Sequence, residues 1–368
     1  MDKTIRVGLI GWGGMGKSHA GNFYKGNIAG AELTAVCDID PSLEQVAREA
    51  YGPEVPFFAE AQDLLASDRV DAVVIATPHP SHPPLAIDAL QRGLHVMCEK
   101  PAGVDVDSVR EMNRVAKQSK SVLAMMFQHR LNPMMRKLKE LIASGELGPL
   151  RRIAWTITDW FRTEQYYQSS SWRAKWKTEG GALLINQCSH TLDSWQWVFG
   201  LPKRLRAFCR FGKYHRIETE DEVTAFMEYE NDVSAVFISS TGEVPGTNRL
   251  EAAGDRGKLV LENGQLTFWR TQNSISEHSR ISQQPSNKPE CWICNVPVAG
   301  ENEGHLGMLK DWIQAIQTGV APIATVAEAL AGLQLSNAML LSTWTDDWVT
   351  FPVDGKMFNE HYSRRMKS

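Results

Sequence analysis

Two stretches of this chain carry side chains whose types and spacing could perform chemistry. The first is Glu99-Lys100-Pro101, directly after the apolar run His95-Val96-Met97-Cys98. A lysine at a strand end can hydrogen-bond a substrate hydroxyl and stabilise alkoxide character as hydride leaves. Partial burial beside a cation would lower its pKa towards a working range. The competing reading is a surface lysine paired with Glu99. The second stretch opens at Gly180-Gly181 and runs through Asn186, His190 and Asp193. On one helix, predicted over about 182–198, these three fall at i, i+4 and i+7 and share a face. Histidine is the usual proton acceptor near neutral pH. A lone helix histidine is more often structural, but the polar neighbours on its stripe and the two glycines upstream make His190, with Lys100, a candidate for proton handling.

The N-terminal residues supply a place for a coenzyme. Gly11-Trp12-Gly13-Gly14-Met15-Gly16 fits G-x-G-x-x-G. An apolar strand, 5–10, precedes it and a helix follows. A second strand, 33–37, ends in Asp38, 22 residues past Gly16. That order of strand, glycine loop, helix, strand and acid is the signature of a dinucleotide site. Gly11 permits the turn, Gly13 lets pyrophosphate approach, and Gly16 allows close helix–strand packing. The helix N-terminus favours phosphate. Asp38 suits the free ribose hydroxyls of NAD and would repel the extra phosphate of NADP. A glycine turn in an unrelated α/β protein is the alternative. In a doubly wound sheet ligands lie beyond the carboxyl ends of the strands. Thr77, His79, His82, Glu99 and Lys100 join the loop residues as expected cofactor contacts on that ground.

Aromatic and basic residues cluster at 159–173, just before the glycine pair. Rings stack on the C–H faces of polyols, and guanidinium groups bond their hydroxyls. Arg162 and Tyr166 are expected at the substrate with Lys100, Asn186 and His190.

The chain has 368 residues, 43% hydrophobic and 22% charged, with a net charge of −4. Such a balance suits a soluble two-domain protein and gives no sign of a nucleic-acid or membrane partner. No apolar run reaches bilayer length. A strand begins almost at once, so no signal peptide is expected and the default location is cytoplasmic. Cys291-Trp292-Ile293-Cys294 lacks the second pair that structural zinc wants, and no metal is expected.

Residues 1–123 alternate strand and helix, which implies a parallel doubly wound sheet. The character changes after residue 127: a helix is predicted over 133–144, and from residue 150 short strands joined by tight turns dominate, which implies a largely antiparallel sheet. Residues 271–303 read as a long loop or flap. Helices are predicted over 306–318 and 325–343.

The glycine loop, Glu99-Lys100-Pro101 and the glycine-opened helix with its H-x-x-D together resemble the Gfo/Idh/MocA oxidoreductases over nearly the whole chain. The resemblance implies an α/β architecture: an N-terminal Rossmann domain, 1–125, and a C-terminal α/β domain, 126–368, with a large, mostly antiparallel open sheet. It implies a homodimer or homotetramer through that sheet. It also implies NAD(P)-linked oxidation or reduction of a sugar, cyclitol or similar polyol. Lys100 and His190 match the family's lysine and catalytic histidine. Similarity to known proteins implies that Trp172 and Arg173 lie near the cofactor or substrate. Asn186 departs from the pattern, since many members carry Asp there. Asn can orient an imidazole but cannot stabilise its charged form. Two rival activities fit the same motifs: a redox-neutral glycoside hydrolase working by transient oxidation and elimination, and a non-catalytic NAD-binding regulator.

Overall fold

A computed structural model of the protein describes residues 4–367. Contacts divide the described residues into two compact units: those up to 131 with 178–180 and 303–333, and 132–177 with 181–302 and those from 334 onward.

The first unit is built on six parallel strands. They are β1 (Ile5–Ile10), β2 (Ala31–Cys37), β3 (Phe57–Phe58), β4 (Ala72–Ile75), β5 (His95–Cys98) and β6 (Leu123–Met125), in the order β3-β2-β1-β4-β5-β6. All four residues of β4, Ala-Val-Val-Ile, are buried, as a strand covered on both faces requires. Five helices connect the strands: α1 (Gly14–Tyr24), α2 (Leu43–Tyr51), α3 (Ala61–Ala66), α4 (His82–Gln91) and α5 (Val106–Gln118). Asp105 opens α5 by accepting from the amides of Asp107 and Ser108. The order reverses between β1 and β4, so the strand ends there leave the crevice in which such sheets bind ligands. The late helix Gly304–Thr318 also packs in this unit, against α1 and β5.

The second unit is a nine-stranded sheet. Its strands are β7 (Leu150–Ile157), β8 (Arg204–Phe211), β9 (Glu220–Glu228), β10 (Ser234–Ser240), β11 (Asn248–Gly254), β12 (Gly257–Glu262), β13 (Gln265–Thr271), β14 (Cys291–Asn295) and β15 (Val349–Thr350). Their order is β14-β13-β12-β11-β7-β10-β9-β8-β15. Only the β7–β10 pair is parallel. Alternation puts Val223, Ala225 and Met227 in the core, while Phe208, Phe226 and Trp269 stay exposed on the sheet. Helices α6 (Pro133–Ala143), α7 (Glu164–Gln168) and α8 (Ser189–Phe199) belong to this unit. Trp195 of α8 stacks on Trp155 of β7 and meets Phe237 of β10 edge-on, which fixes α8 on the sheet.

Residues 271–303 are not the structureless flap that their polarity suggests. They hold α9 (Ile275–Ile281) and β14, which pairs along β13 at the sheet edge. Cys291 and Cys294 therefore lie in a strand and are free thiols. Residues three apart in a strand point to opposite faces about 10 Å apart, beyond the reach of a disulfide.

Candidate active site

The glycine loop meets each steric demand of a pyrophosphate cradle. Gly11 has φ +91°, and a Cβ there would lie 2.6 Å from the Ala76 carbonyl oxygen. A Cβ on Gly16 would lie 1.9 Å from the Gly11 oxygen, so only glycine closes this strand-to-helix turn. At Gly13 and Gly14 the same test meets no protein atom within 4 Å. Gly13 caps α1 with no side chain of its own, and helix geometry leaves the amides of Gly14, Met15 and Gly16 without internal partners. Asp38 ends β2 and ties the loop down: its carboxylate accepts from the Trp12 amide at 2.7 Å and the Asp40 amide at 3.0 Å. A carboxylate has about four lone-pair sites, so two bonds leave room for ribose hydroxyls.

Several expected cofactor contacts turn out to be framework. The Trp12 ring is only 2% exposed and donates its Nε1–H to Tyr51, so its side chain is core and its amide belongs to Asp38. His82 is fully buried, with Nδ1 2.7 Å from the Pro101 carbonyl and Nε2 2.7 Å from that of Thr77. It clamps two strand-end loops together rather than facing a ligand. His79 is buried too, with Nδ1 2.8 Å from the Glu179 carbonyl. Thr77 accepts from the Ser81 hydroxyl at 2.8 Å.

Lys100 leaves the carboxyl end of β5 half-buried. Glu99 is not its surface counter-ion. One Glu99 oxygen accepts from His19 Nε2 at 2.6 Å, and the other accepts from the Lys100 backbone amide at 3.1 Å. Burial pushes the Glu99 carboxyl up, but the His19 hydrogen bond and the nearby charge of Lys100 outweigh it and hold it below its usual range. His19, on α1, is fully buried, and the His305 ring lies 5.7 Å from it. His19 and His129 carry no sequence signal of their own. His19 meets Glu99 across 80 residues of chain.

His129 gives this cluster a pH signature. Burial, with the positive Lys100 and His305 nearby, holds its imidazole down to about 4 from an ordinary 6.5. Between those values the unfolded chain binds more protons than the folded one. Stability contributed by the neutral ring is thus present above pH 6.5 and lost as pH falls towards 4. Thermal unfolding of His129→Gln across this range is expected to show a shallower loss of Tm than the parent chain. An unchanged slope would refute the assignment.

The second unit presents the polar helix. Residues 182–187 form a π-helix, closed by the Cys188 amide on the Leu183 carbonyl at 2.7 Å, and α8 follows. The single α-helix expected here is thus broken. Asn186 lies in the π-helical turn and His190 in α8. His190 and Asp193, both within α8, keep their common face. Asn186, His190 and Asp193 are all buried. Glu220 steers the π-helix by accepting from the Leu184 amide at 2.8 Å. A Cβ on Gly181, whose φ is +148°, would press to 3.0 Å from that carboxylate. Beside this segment Arg162, Tyr166 and Arg173 meet, with Gln187, which the sequence did not single out. Arg162 donates to the Gln187 amide oxygen, Gln187 donates to the Tyr166 hydroxyl, and Arg173 donates to the same hydroxyl, each at 2.7 Å. The Arg173 guanidinium also lies 4.6 Å from the Trp172 ring centroid.

Comparison with known proteins decides the family. Residues 5–127 match the oxidoreductase family with an NAD-binding Rossmann fold, and residues 135–260 match the GFO/IDH/MocA C-terminal domain. An inositol 2-dehydrogenase of Corynebacterium glutamicum is 31% identical over 342 residues, covering 88% of this chain and 97% of the relative. The chain belongs to the Gfo/Idh/MocA oxidoreductase family. Another inositol 2-dehydrogenase, from Rubrobacter xylanophilus, is 34% identical over 53% of this chain and 52% of its own length. Among solved structures, the WlbA dehydrogenase of Bordetella pertussis in complex with NADH and UDP-GlcNAcA superposes with a TM-score of 0.81 at 25% identity. It covers 96% of this chain and all of that one. A levoglucosan dehydrogenase in complex with NADH and levoglucosan shares the fold, with a TM-score of 0.78 at 20% identity over 95% of this chain and 99% of that one.

As a Gfo/Idh/MocA member the chain is an oxidoreductase with an NAD-binding Rossmann unit, and its loop fits that coenzyme. The space above Gly13 and Gly14 is open where pyrophosphate needs it, and the acid ending β2 suits a free ribose. Gly13→Val is expected to leave Tm within about 2 °C and to weaken NAD binding about tenfold or more, read by calorimetry. Unchanged affinity would show that the pyrophosphate lies elsewhere. Among the described residues no helix is long and apolar enough to cross a membrane.

Proposed function

We propose that this protein oxidises a secondary hydroxyl of a sugar, glycoside or cyclitol, with NAD as electron acceptor. The observation that carries the reading is Lys100. Its backbone is held by the buried Glu99–His19 pair at a strand end of the sheet whose glycine loop is open for pyrophosphate. NAD, when bound, supplies the hydride acceptor. The chain handles the proton. Lys100 donates a hydrogen bond to the substrate oxygen and stabilises the negative charge that builds on it. His190 accepts the hydroxyl proton, so the alcohol loses one hydride and one proton and becomes a ketone. Lys100, Asn186 and His190 make up the substrate-binding set with Arg162 and Tyr166. The named relatives that act on inositol or levoglucosan support a polyhydroxylated substrate.

A panel of cyclitols, sugars and glycosides with NAD and with NADP tests this, with NADH absorbance as the readout. Net NADH from at least one member, with NAD preferred, is the expected result. Glycoside cleavage without net NADH would establish the redox-neutral hydrolase instead.

We also assign the homodimer or homotetramer contact to the open face of the nine-stranded sheet. Exposed Phe208, Phe226 and Trp269 on one face are the kind of patch that marks an interface. Light scattering on the full chain checks it, and a monomer at micromolar concentration would overturn it.

A further inference from the structure

The cluster around Tyr166 has a charge balance that neutral polyols do not explain. Two guanidinium groups sit on one phenol: Arg162 lies 4.8 Å and Arg173 4.4 Å from the Tyr166 ring centroid. Neither forms an ion pair with any acidic side chain among the described residues. Arg6, Arg130, Arg151, Arg204 and Arg249, by contrast, each meet a carboxylate. Two like charges held close and half-buried repel one another, and more strongly than in water.

The hydrogen-bond inventory leans the same way. Each acceptor in the cluster already takes at least one donor. The Gln187 amide oxygen takes Arg162, the Phe161 carbonyl takes Arg162 at 3.0 Å, and the Tyr166 oxygen takes both Arg173 and Gln187. Donors are left over. Arg162 Nε, Arg173 Nε and Trp160 Nε1 are buried with no acceptor, and the Arg162 guanidinium lies 5.5 Å from the Trp160 ring centroid. The Tyr166 hydrogen is also unspent, because its oxygen only accepts. Buried donors normally find acceptors, and a group of four around two uncompensated cations calls for an acceptor-rich anion. Gln187 joins the cluster to the segment that carries Asn186 and His190, so an anion bound here is tied to the substrate-handling stretch of the chain.

We propose that the substrate is not a neutral polyol but one bearing an oxyanion, a carboxylate or a phosphate, which Arg162, Arg173 and Tyr166 bind. This rests on the polyol-dehydrogenase reading above and narrows it. A guanidinium fork matches either oxyanion in geometry, and the Tyr166 hydroxyl adds a third donor.

The test is calorimetry on the full chain with NADH bound. D-glucose is compared with D-glucuronate and D-glucose 6-phosphate, and D-galactose with D-galacturonate and D-galactose 6-phosphate. At least one acid or phosphate is expected to bind about tenfold or more tightly than its neutral counterpart. The uronate and phosphate arms show which oxyanion is preferred. Arg162→Met and Arg173→Met are expected to erase the preference and leave NADH affinity unchanged. The proposal is overturned if no anionic ligand outbinds its neutral counterpart. It is equally overturned if the arginine variants weaken NADH binding and keep the acid-to-neutral ratio, since the pair would then serve the coenzyme. Should a variant fail to fold, the ratios on the parent chain still decide. The same ligands are assayed for NADH formation. Tight acid binding with no NADH from any ligand would remove the dehydrogenase reading and keep the anion site.

Discussion

Replacing Lys100 with methionine is expected to lower kcat by roughly 10²–10⁴-fold, the range that one well-placed proton-transfer or charge-stabilising group contributes. Methionine keeps most of the length and apolar bulk of the lysine stem, so packing at the end of β5 changes little. What disappears is the ammonium proposed to meet the substrate oxygen. The Glu99 anchor acts on the backbone amide of residue 100, not on its side chain, and survives the change. NAD affinity is therefore expected to stay within about threefold of the parent value. Steady-state kinetics and calorimetry separate the two effects. A variant that retains more than about a tenth of the turnover would remove Lys100 from the chemical step.

His190→Ala is the second large effect. Loss of the proton acceptor is expected to cost about 10²–10³-fold in kcat/KM. The more telling readout is the pH profile. A reaction that needs a neutral imidazole speeds up as pH rises through the histidine range and then levels. In His190→Ala that limb is expected to vanish and leave a low, flat rate. A merely structural histidine would lower the rate at every pH and keep the limb. Trp195 clamps α8 onto β7 and β10 independently of residue 190, so the helix is expected to stay in place in this variant.

Much of the first unit is legible in the residues themselves, because its chemistry is local. The glycines at 11, 13 and 16 act within one turn, and Asp38 stands at the end of the next strand. Lys100 follows an apolar run that can only be a buried strand. Patterns that close within 30 residues or so express backbone sterics and burial, and both are written in the side chains. Seven strands of the large sheet were equally readable, since alternation is a two-residue signal, whereas β14 and the two-residue β15 were not.

Contacts made across long separations were not. Nothing in the residues around His19 marks it as the partner of Glu99, 80 residues away. The π-helix at 182–187 was hidden because a run such as Ala-Leu-Leu-Ile-Asn-Gln fits an α turn equally well. Glu220 and its amide partner at Leu184 stand on separate elements. The short helices at 164–168 and 275–281 lie in polar stretches where burial leaves no periodic mark.

By itself the sequence determined the dinucleotide cradle, the preference of its terminal acid, and the presence of a lysine and a histidine able to do acid–base work. Only the tertiary structure decided what surrounds them. It put His19 rather than Lys100 on the Glu99 carboxylate, turned Trp12 and His82 into framework, and gathered two unpaired arginines on one tyrosine. The reason is electrostatic. A charged group's behaviour depends on its partners and its access to water, and both are set by packing between segments far apart in the chain.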